Sequence, residues 1–417
     1  MRIIADLHLH SKYSRACSKD LDLEHNDQWA RLKGITVVGT ADFTHPRWLA
    51  ELKEKLVEDK PGLFKLNGSD GNVLFLITTE VSCIYSQGGK VRRIHLCLFA
   101  PDFSTVEKIN SALLKRGVNL SSDGRPIMGL PAEEVAKIVL DANEHALVIP
   151  AHAWTPWFSV FGSNSGFDSL EECFEDLTPK ILAIETGLSS DPPMNWRLSA
   201  LDHITLLSNS DAHSPPNLGR EANVFEIPED ELSYDEIRRV IQEKDATRFS
   251  YTVEFFPQEG KYHWDGHRAC DFVCSPAETK KQRSICPRCK KPLTVGVDYR
   301  VDRLADREVG SATGSIAYRS VVPLQELIAE AFDQGKNTKK VAEAYQHMVG
   351  TGNSEFQILL DLDEASLRLI AEPAVAQAIM NVRKGRVVAT PGYDGVYGVI
   401  HALKPEERIA GRQKSLL

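Results

Sequence analysis

Asp6-Leu7-His8-Leu9-His10 ends the apolar run that opens the chain, and the fold follows from how this stretch is read. A short hydrophobic run bounded by polar residues reads as a buried strand. Strand side chains alternate with a period of two, so His8 and His10 project from one face. The pattern recurs along the first half of the chain. Glu80 closes Val73-Leu74-Phe75-Leu76-Ile77-Thr78-Thr79, and His95 lies in Arg93-Ile94-His95-Leu96. His152 ends Leu147-Val148-Ile149-Pro150-Ala151, while Asp211 and His213 end the run from Ile204 and repeat the alternate spacing. Residues able to bind metal therefore sit inside or just after strand upon strand. The carboxyl ends of barrel strands are where such a fold assembles its chemistry.

Neutral imidazole together with carboxylate suits zinc, manganese or iron. His8, His10, Glu80, His95, His152, Asp211 and His213 exceed the needs of one tetrahedral ion, so two or three ions are expected, with a carboxylate free to bridge. Neighbouring ions acidify a water and steady both oxygens of a displacement at phosphorus. The implied chemistry is metal-assisted hydrolysis of a phosphate ester. A lone histidine at a strand end is more often a satisfied core residue. Two alternate-spaced pairs joined by a glutamate and two more histidines favour the metal site.

At 417 residues the chain has room for a main domain and smaller ones, with boundaries expected at 1–250, 251–300 and 301–417. Its 42% hydrophobic and 26% charged residues are ordinary for a globular protein. The chain opens on strand-forming residues, so no leader is expected, and no stretch approaches the ~20 apolar residues of a membrane span. A cytoplasmic enzyme without membrane partners is expected. Eight cysteines in this length do not read as a disulfide framework.

Four of those cysteines have another explanation. Cys270-x3-Cys274, followed by Cys286-x2-Cys289, gives two thiolate pairs able to clamp one structural zinc, with His263 and His267 close enough to replace one cysteine. So short a segment cannot bury enough surface to fold unaided. The chain as a whole is acidic, with 49 basic against 58 acidic residues, which argues against a generic nucleic-acid binder. Locally the balance reverses. Lys280, Lys281, Arg283, Arg288, Lys290 and Lys291 follow one another without an acid and are candidate phosphate contacts, although such a run is about as often a plain solvated face.

Beyond the cysteines the pattern turns helical. Leu324, Leu327, Ile328, Ala331 and Phe332 form one apolar stripe, Val341, Ala344 and Tyr345 another, and Glu372 to Lys384 a further helix. Pro391-Gly392-Tyr393-Asp394-Gly395-Val396-Tyr397-Gly398 is a glycine-rich loop without the ending of a nucleotide-binding loop. It reads as a tight turn packing two aromatic rings, or as backbone open to a phosphate or an unstacked base. Gly310 to Ser315 is a similar small-residue segment.

The order DLHLHS, TADFTH, TTE, RIHLCLF, PAHAW, AIET and SNSDAH resembles the PHP (polymerase and histidinol phosphatase) superfamily over about the first 215 residues. The resemblance implies an α/β fold with a distorted (β/α)7 barrel. It also implies one ion on His8, His10, Glu80 and Asp211, and a second on Glu80, His95 and His152. Where that family places Thr-Asp-His, this chain has Ala41-Asp42-Phe43, and phenylalanine cannot bind metal. His45 or Asp42 is left to act beside His213. Asp6 is expected to orient a ligand histidine, and Glu185 to be either a ligand or a strand-end carboxylate. With the late motifs GKYHWDGHR, CPRCKKPLTVGV and PGYDGVYG, nearly the whole chain resembles the endonuclease Q family of PHP-domain DNA-repair enzymes. That implies a barrel, a small zinc-binding module and a mainly helical C-terminal domain. It also implies cleavage of the phosphodiester 5′ to deaminated bases (uracil, hypoxanthine, xanthine) or abasic sites in DNA. Zinc, manganese or magnesium ions would serve the active site, with Asp211, His213 and His45 as catalytic candidates. A replication clamp is a conceivable further partner. The barrel motifs alone would also fit a phosphomonoesterase acting on a small-molecule phosphate.

Overall fold

A computed structural model describes residues 1–311, 314 and 316–409. Ala312, Thr313 and Ser315 of the small-residue segment lie outside the described residues. The first half supplies strands β1 (Arg2–Asp6), β2 (Val37–Gly39), β3 (Leu56–Lys60), β4 (Leu63–Leu66), β5 (Leu74–Gln87), β6 (Lys90–Ala100), β7 (Ile127–Met128), β8 (Leu147–Pro150), β9 (Ala183–Glu185) and β10 (Thr205–Leu207). Then follow β11 (Ala222–Glu226), β12 (Phe249–Phe255), β13 (Asp265–His267), β14 (Phe272–Cys274) and β15 (Ala317–Val321). A mixed sheet runs β15-β12-β11-β1-β2-β5-β4-β3, with β6 and β7 also on β5 and β8 on β6. Pairs β1–β2 and β2–β5 are parallel, whereas β5 and β6 form a long antiparallel hairpin in which Ser82 faces His95. β9 and β10 pair in parallel as a separate ribbon. Its ends are stitched to neighbours by Ala153 N–H to Glu185 O (3.0 Å) and His10 N–H to Ala212 O (3.1 Å).

Alternation sorts the core into two layers. Ile3, Ala5, Leu74, Leu76, Cys97, Phe99 and Ile149 share one buried cluster; Ile4, Phe75, Ile77, Leu98 and Val148 point the other way into a second. Glu80 continues the face of Leu74 and Leu76, and His95 that of Cys97 and Phe99, so each ligand extends a buried row. Helices Leu23–Lys33, Phe103–Lys115 and Tyr234–Gln242 begin where Asp22, Asp102 and Ser233 accept the hydrogen bond of an otherwise unpaired backbone N–H. Glu80 does not end its strand as the apolar run suggested. β5 continues to Gln87 because β6 pairs with it along its whole length.

β12 crosses residue 250, and β15 from the C-terminal part joins the main sheet alongside it. β13 and β14 form a small antiparallel pair over a cluster of Cys274, Cys286 and Leu293. Helices Leu324–Phe332, Lys339–Val349, Glu364–Ile370 and Pro373–Arg383 pack their stripes into a third core. A buried ion pair, Lys33 to Glu355 at 2.7 Å, fastens this part to the first helix, and Glu355 also accepts from Tyr345 Oη and Leu324 N–H. The glycine-rich loop lies against residues 258–268: Gly398 approaches so closely that a Cβ there would sit 2.2 Å from the carbonyl of Gln258. Tyr393 is the packed ring, donating to Asp271 at 2.7 Å, whereas Tyr397 is exposed. Among the described residues no helix is long and apolar enough to cross a membrane.

Candidate active site

Glu80 is fully buried and central. Its Oε1 lies 2.7 Å from His95 Nδ1 and 3.2 Å from His152 Nε2. Its Oε2 lies 3.4 Å from His10 Nε2 and 3.7 Å from His8 Nε2, with Arg125 Nη1 donating at 2.8 Å. Asp211 Oδ1 completes the second side, 2.9 Å from His10 Nε2 and 3.7 Å from His8 Nε2. The donor atoms of His8, His10, Glu80 and Asp211 fall within 4.8 Å of one another, as do those of Glu80, His95 and His152. The carboxylate thus has one oxygen in each group. The donor set fits divalent cations: His8 Nε2 is buried with no hydrogen-bond partner, and several imidazoles aim nitrogen at the same carboxylates.

The electrostatics follow from crowding. Burial pushes the Glu80 carboxyl up, but His95, Arg125 and His8 outweigh it and hold it well below the usual range. Burial likewise opposes ionisation of Asp211, and the hydrogen bond from His10 with the charges of His213 and His8 overturns it. Burial lowers His95 to about 4, only partly offset by Glu80, which leaves it a neutral ligand.

Glu185 is placed to orient His8, although its donor atom also falls within 4.8 Å of those of His8 and Cys97. Its oxygens lie 3.0 and 3.1 Å from His8 Nδ1 and accept His152 N–H at 3.0 Å and Asn209 Nδ2 at 2.8 Å. A carboxylate holding the far nitrogen of a ligand histidine fixes its tautomer and direction. That role was expected of Asp6, whose carboxylate instead accepts the backbone N–H groups of Ser210 (3.0 Å) and Gly219 (2.9 Å). Asp6 ties down the loop that carries Asp211.

His213 stands beside His10, ring centroids 4.5 Å apart, with Nδ1 2.8 Å from Asp211 O. Asp42 Oδ2 is engaged by Ser11 and Ser14, and its Oδ1 is 3.8 Å from His10 Nδ1. His45 is not brought to the cluster; its ring stacks on Tyr13 at 4.4 Å. Phe43 is buried in the core.

A cleft of about 650 Å³ opens over His152, Glu185, Asp211 and His213. Arg93, Trp157, Tyr262 and Tyr397 stand on its walls, and Lys261 Nζ lies 5.8 and 5.6 Å from the ring centroids of Tyr262 and Tyr397. Arg220 lines it too, donating to Ser210 O at 2.8 Å. Sequence reasoning missed Arg125, Arg93 and Arg220, which sit outside any metal-type spacing.

In the cysteine segment His267, Cys270, Cys286 and Cys289 bring their donor atoms within 4.8 Å of one another. Cys274 Sγ lies outside that group, 3.1 Å from Thr279 Oγ1, and His263 is buried elsewhere, 3.4 Å from Ser189 O. Lys280, Lys281, Arg283, Arg288, Lys290 and Lys291 are all exposed. Lys280 is paired with Asp302, and Arg288 donates to Cys270 O.

Residues 323–386 match the family model of the MJ0043 C-terminal domain. The chain is 32% identical over 263 residues to the uncharacterised protein MJ0043 of Methanocaldococcus jannaschii, a match spanning 61% of this chain but only 32% of that longer protein. It is 28% identical to the uncharacterised protein YqxK of Bacillus subtilis, over 96% of this chain and 99% of YqxK. The crystal structure of the lesion-specific endonuclease PfuEndoQ from Pyrococcus furiosus is similar over 100% of both chains, with 31% identity and a TM-score of 0.85. The chain belongs to the endonuclease Q family. An endonuclease Q crystallised with a 27-mer duplex substrate, an abasic lesion at its active site, is 32% identical with a TM-score of 0.86, over 99% of this chain and 100% of that one. The endonuclease Q likeness thus takes in the strands of the mixed sheet, the cysteine segment and the C-terminal helices together.

Proposed function

We propose that this chain is a metal-dependent DNA-repair endonuclease that hydrolyses the phosphodiester 5′ to a deaminated base (uracil, hypoxanthine, xanthine) or an abasic site. The observation that carries the reading is full-length likeness to a relative holding an abasic duplex at its active site. The bridging geometry of Glu80 beneath an open cleft supports it. In this reading β1, β2, β5, β6, β8, β9 and β10 form a distorted (β/α)7 barrel that closes through the Leu9–Ala212 bridge. The chain keeps the three parts expected at 1–250, 251–300 and 301–417, with the first boundary moved past the end of β12 at Phe255 and the second ahead of the helix Val297–Leu304.

His8, His10, Glu80 and Asp211 would hold one ion and Glu80, His95 and His152 a second, with zinc or manganese better suited to these imidazole-rich donors than magnesium, which prefers oxygen ligands. Bound there, divalent ions supply acidity to the attacking water and offset charge at the scissile phosphate. The chain's own groups do the rest. Glu185 aims His8, and Asp6 and Arg220 fix the backbone of the Asp211 loop. His213, whose Nδ1–H is engaged by the Asp211 carbonyl, keeps an Nε2 lone pair that would be free to hold a third ion. Trp157, Tyr262 and Tyr397 offer faces to an unstacked base, which a deaminated mismatch gives up at lower cost. The exposed bases from Lys280 to Lys291 contact DNA phosphates, and His267, Cys270, Cys286 and Cys289 hold the structural zinc.

Asp211→Asn tests the reading. Asp211 has φ of 47°, a left-handed backbone that asparagine also accepts, so the fold is kept. Incubated with matched duplexes, one carrying uracil, hypoxanthine or an abasic site, the variant is expected to bind and not cut. Cleavage at the parent rate removes Asp211 from the site. Parent activity on free sugar phosphates, with none on damaged DNA, replaces the reading with a phosphomonoesterase.

A further inference from the structure

Behind one wall of the active-site cleft lies a second pocket, of about 420 Å³, that no step above uses. The period of β6 connects the two. His95 and Arg93 share one face of the strand, and Arg93 lines the metal cleft. Lys90 and Arg92 point from the opposite face into the second pocket. Thr155, Trp157 and Phe158 wall the cleft, and the chain runs on directly to Gly162–Gly166, which wall the pocket.

The pocket is built for an anion. Lys90, Arg92, Arg300 and Arg303 line it against Asp168 and Glu172, an excess of cations on a chain of net charge -9. Arg300 is 2% exposed. It is held by Phe161 O (2.7 Å), Phe167 O (2.8 Å) and Asp168 Oδ1 (2.7 Å), and its Nη1 has no partner. The Arg92 guanidinium lies over the Phe167 ring, 3.9 Å from its centroid, and its Nη1 donates to Gly166 O, so its direction is set before any ligand arrives while Nε is left without a partner. Among the described residues neither Lys90 nor Arg92 has a carboxylate within ion-pair distance. Oriented guanidinium groups with unspent donors are what phosphate recognition requires.

We propose that this pocket is a phosphate site that takes a backbone phosphate of the duplex flanking the cut. The proposal rests on the endonuclease reading. A strand whose scissile phosphate lies over Glu80 and Asp211 would cross the Thr155–Gly166 wall and set a neighbouring phosphate between Lys90, Arg92 and Arg303.

The test compares Asp211→Asn with the same protein also carrying Lys90→Gln and Arg303→Gln, so that the DNA stays whole. Both added positions are on the surface, and an unchanged thermal midpoint verifies the fold. Duplex affinity is measured across a salt series. The expected loss is about tenfold on damaged and undamaged duplex alike, with the slope of log affinity against log salt shallower by roughly one to two. Lys90→Arg with Arg303→Lys, which keeps both charges, restores most of it. Unchanged affinity and slope overturn the proposal, and so does a loss confined to damaged duplex. Inorganic phosphate alone gives the other arm. If it raises the midpoint of the parent but not of the variant while duplex binding is equal, the pocket serves a free anion and the DNA assignment falls. A parent that binds no duplex at all refutes the endonuclease reading and this proposal with it, whereas equal binding by both proteins refutes this proposal alone.

Discussion

Glu185→Gln changes one oxygen for an amide nitrogen and nothing in shape, yet the groups around it are donors, with only the weakly accepting Cys97 Sγ, 3.7 Å from Oε1, to receive that nitrogen's hydrogens. One carboxylate oxygen faces His152 N–H and the other Asn209 Nδ2, while His8 Nδ1 lies against both. Asn209 cannot turn to help, because its own Oδ1 already accepts from Leu7 N–H (2.8 Å) and Asn223 Nδ2 (3.0 Å). A glutamine there sets donor against donor, and a buried unsatisfied group costs about 1–3 kcal/mol. The relief available is to turn the His8 ring, which spoils its approach to Glu80 and Asp211. Loss of such an orienting carboxylate typically lowers metal affinity or activity by about 10–100-fold. The assay is metal content by elemental analysis after dialysis against graded chelator, followed by the manganese concentration that half-restores cutting. Both should move together, with duplex binding in the uncut Asp211→Asn background unchanged. Parent-like metal retention in Glu185→Gln would refute the reasoning, and Glu185 would be a packing residue only.

The cysteine segment makes a sharper discrimination. Cys286→Ser and His267→Ala should each lose one zinc per chain by elemental analysis, while Cys274→Ser keeps it. The reverse order for Cys274 and His267 would restore the four-cysteine set expected from spacing. Glu254 carries a pH dependence. Burial raises its carboxyl from 4.5 to about 8, so folding takes up a proton; the associated stability is whole below pH 4.5 and is lost as pH rises through about 8. Glu254→Gln should flatten the fall of the thermal midpoint across that window and be more stable than the parent above it. An unchanged pH slope would mean that Glu254 ionises freely in the folded chain.

How much of this was legible in the residues depends on whether a pattern is local. The stripe of Leu324, Leu327, Ile328, Ala331 and Phe332 lies wholly buried on the helix Leu324–Phe332, because helical period and burial are properties of adjacent turns. The ligand-bearing runs were readable for the same reason. What joins distant runs was not. Asp6 and Glu185 both follow apolar stretches, and only the pairing of β9 with β10 and its stitch to β8 puts Glu185, not Asp6, behind His8. Arg125 reaches Glu80 from an irregular loop whose sequence has no period to read. Likewise β13 and β14 set His267 opposite Phe272 and Asp265 opposite Cys274, so hairpin register, rather than cysteine spacing, decides which side chains meet.

The hardest feature to foresee is the backbone at and beside the candidate ligands. Ala41, Asp42, His152 and Asp211 have φ of 59°, 45°, 30° and 47°, a left-handed region that costs a non-glycine residue about 1–2 kcal/mol. His152 shows why the cost is borne. Leu147, Ile149 and Ala151 share one cluster and Val148 the opposite one, so continued alternation would send residue 152 to the side of Val148, away from Glu80. The turn at φ 30° breaks the alternation and brings Nε2 within 3.2 Å of Glu80 Oε1. Gly187 makes room for it, since a Cβ there would lie 2.7 Å from the His152 Cβ. A glycine at 152 would relax the strain and lose the imidazole. A positive φ also occurs at Glu175, Lys244 and Asp333, away from the cluster, so strain alone does not mark a working residue; at His152 it is the strain together with the 3.2 Å approach of Nε2 to Glu80 that supports a role in the chemistry.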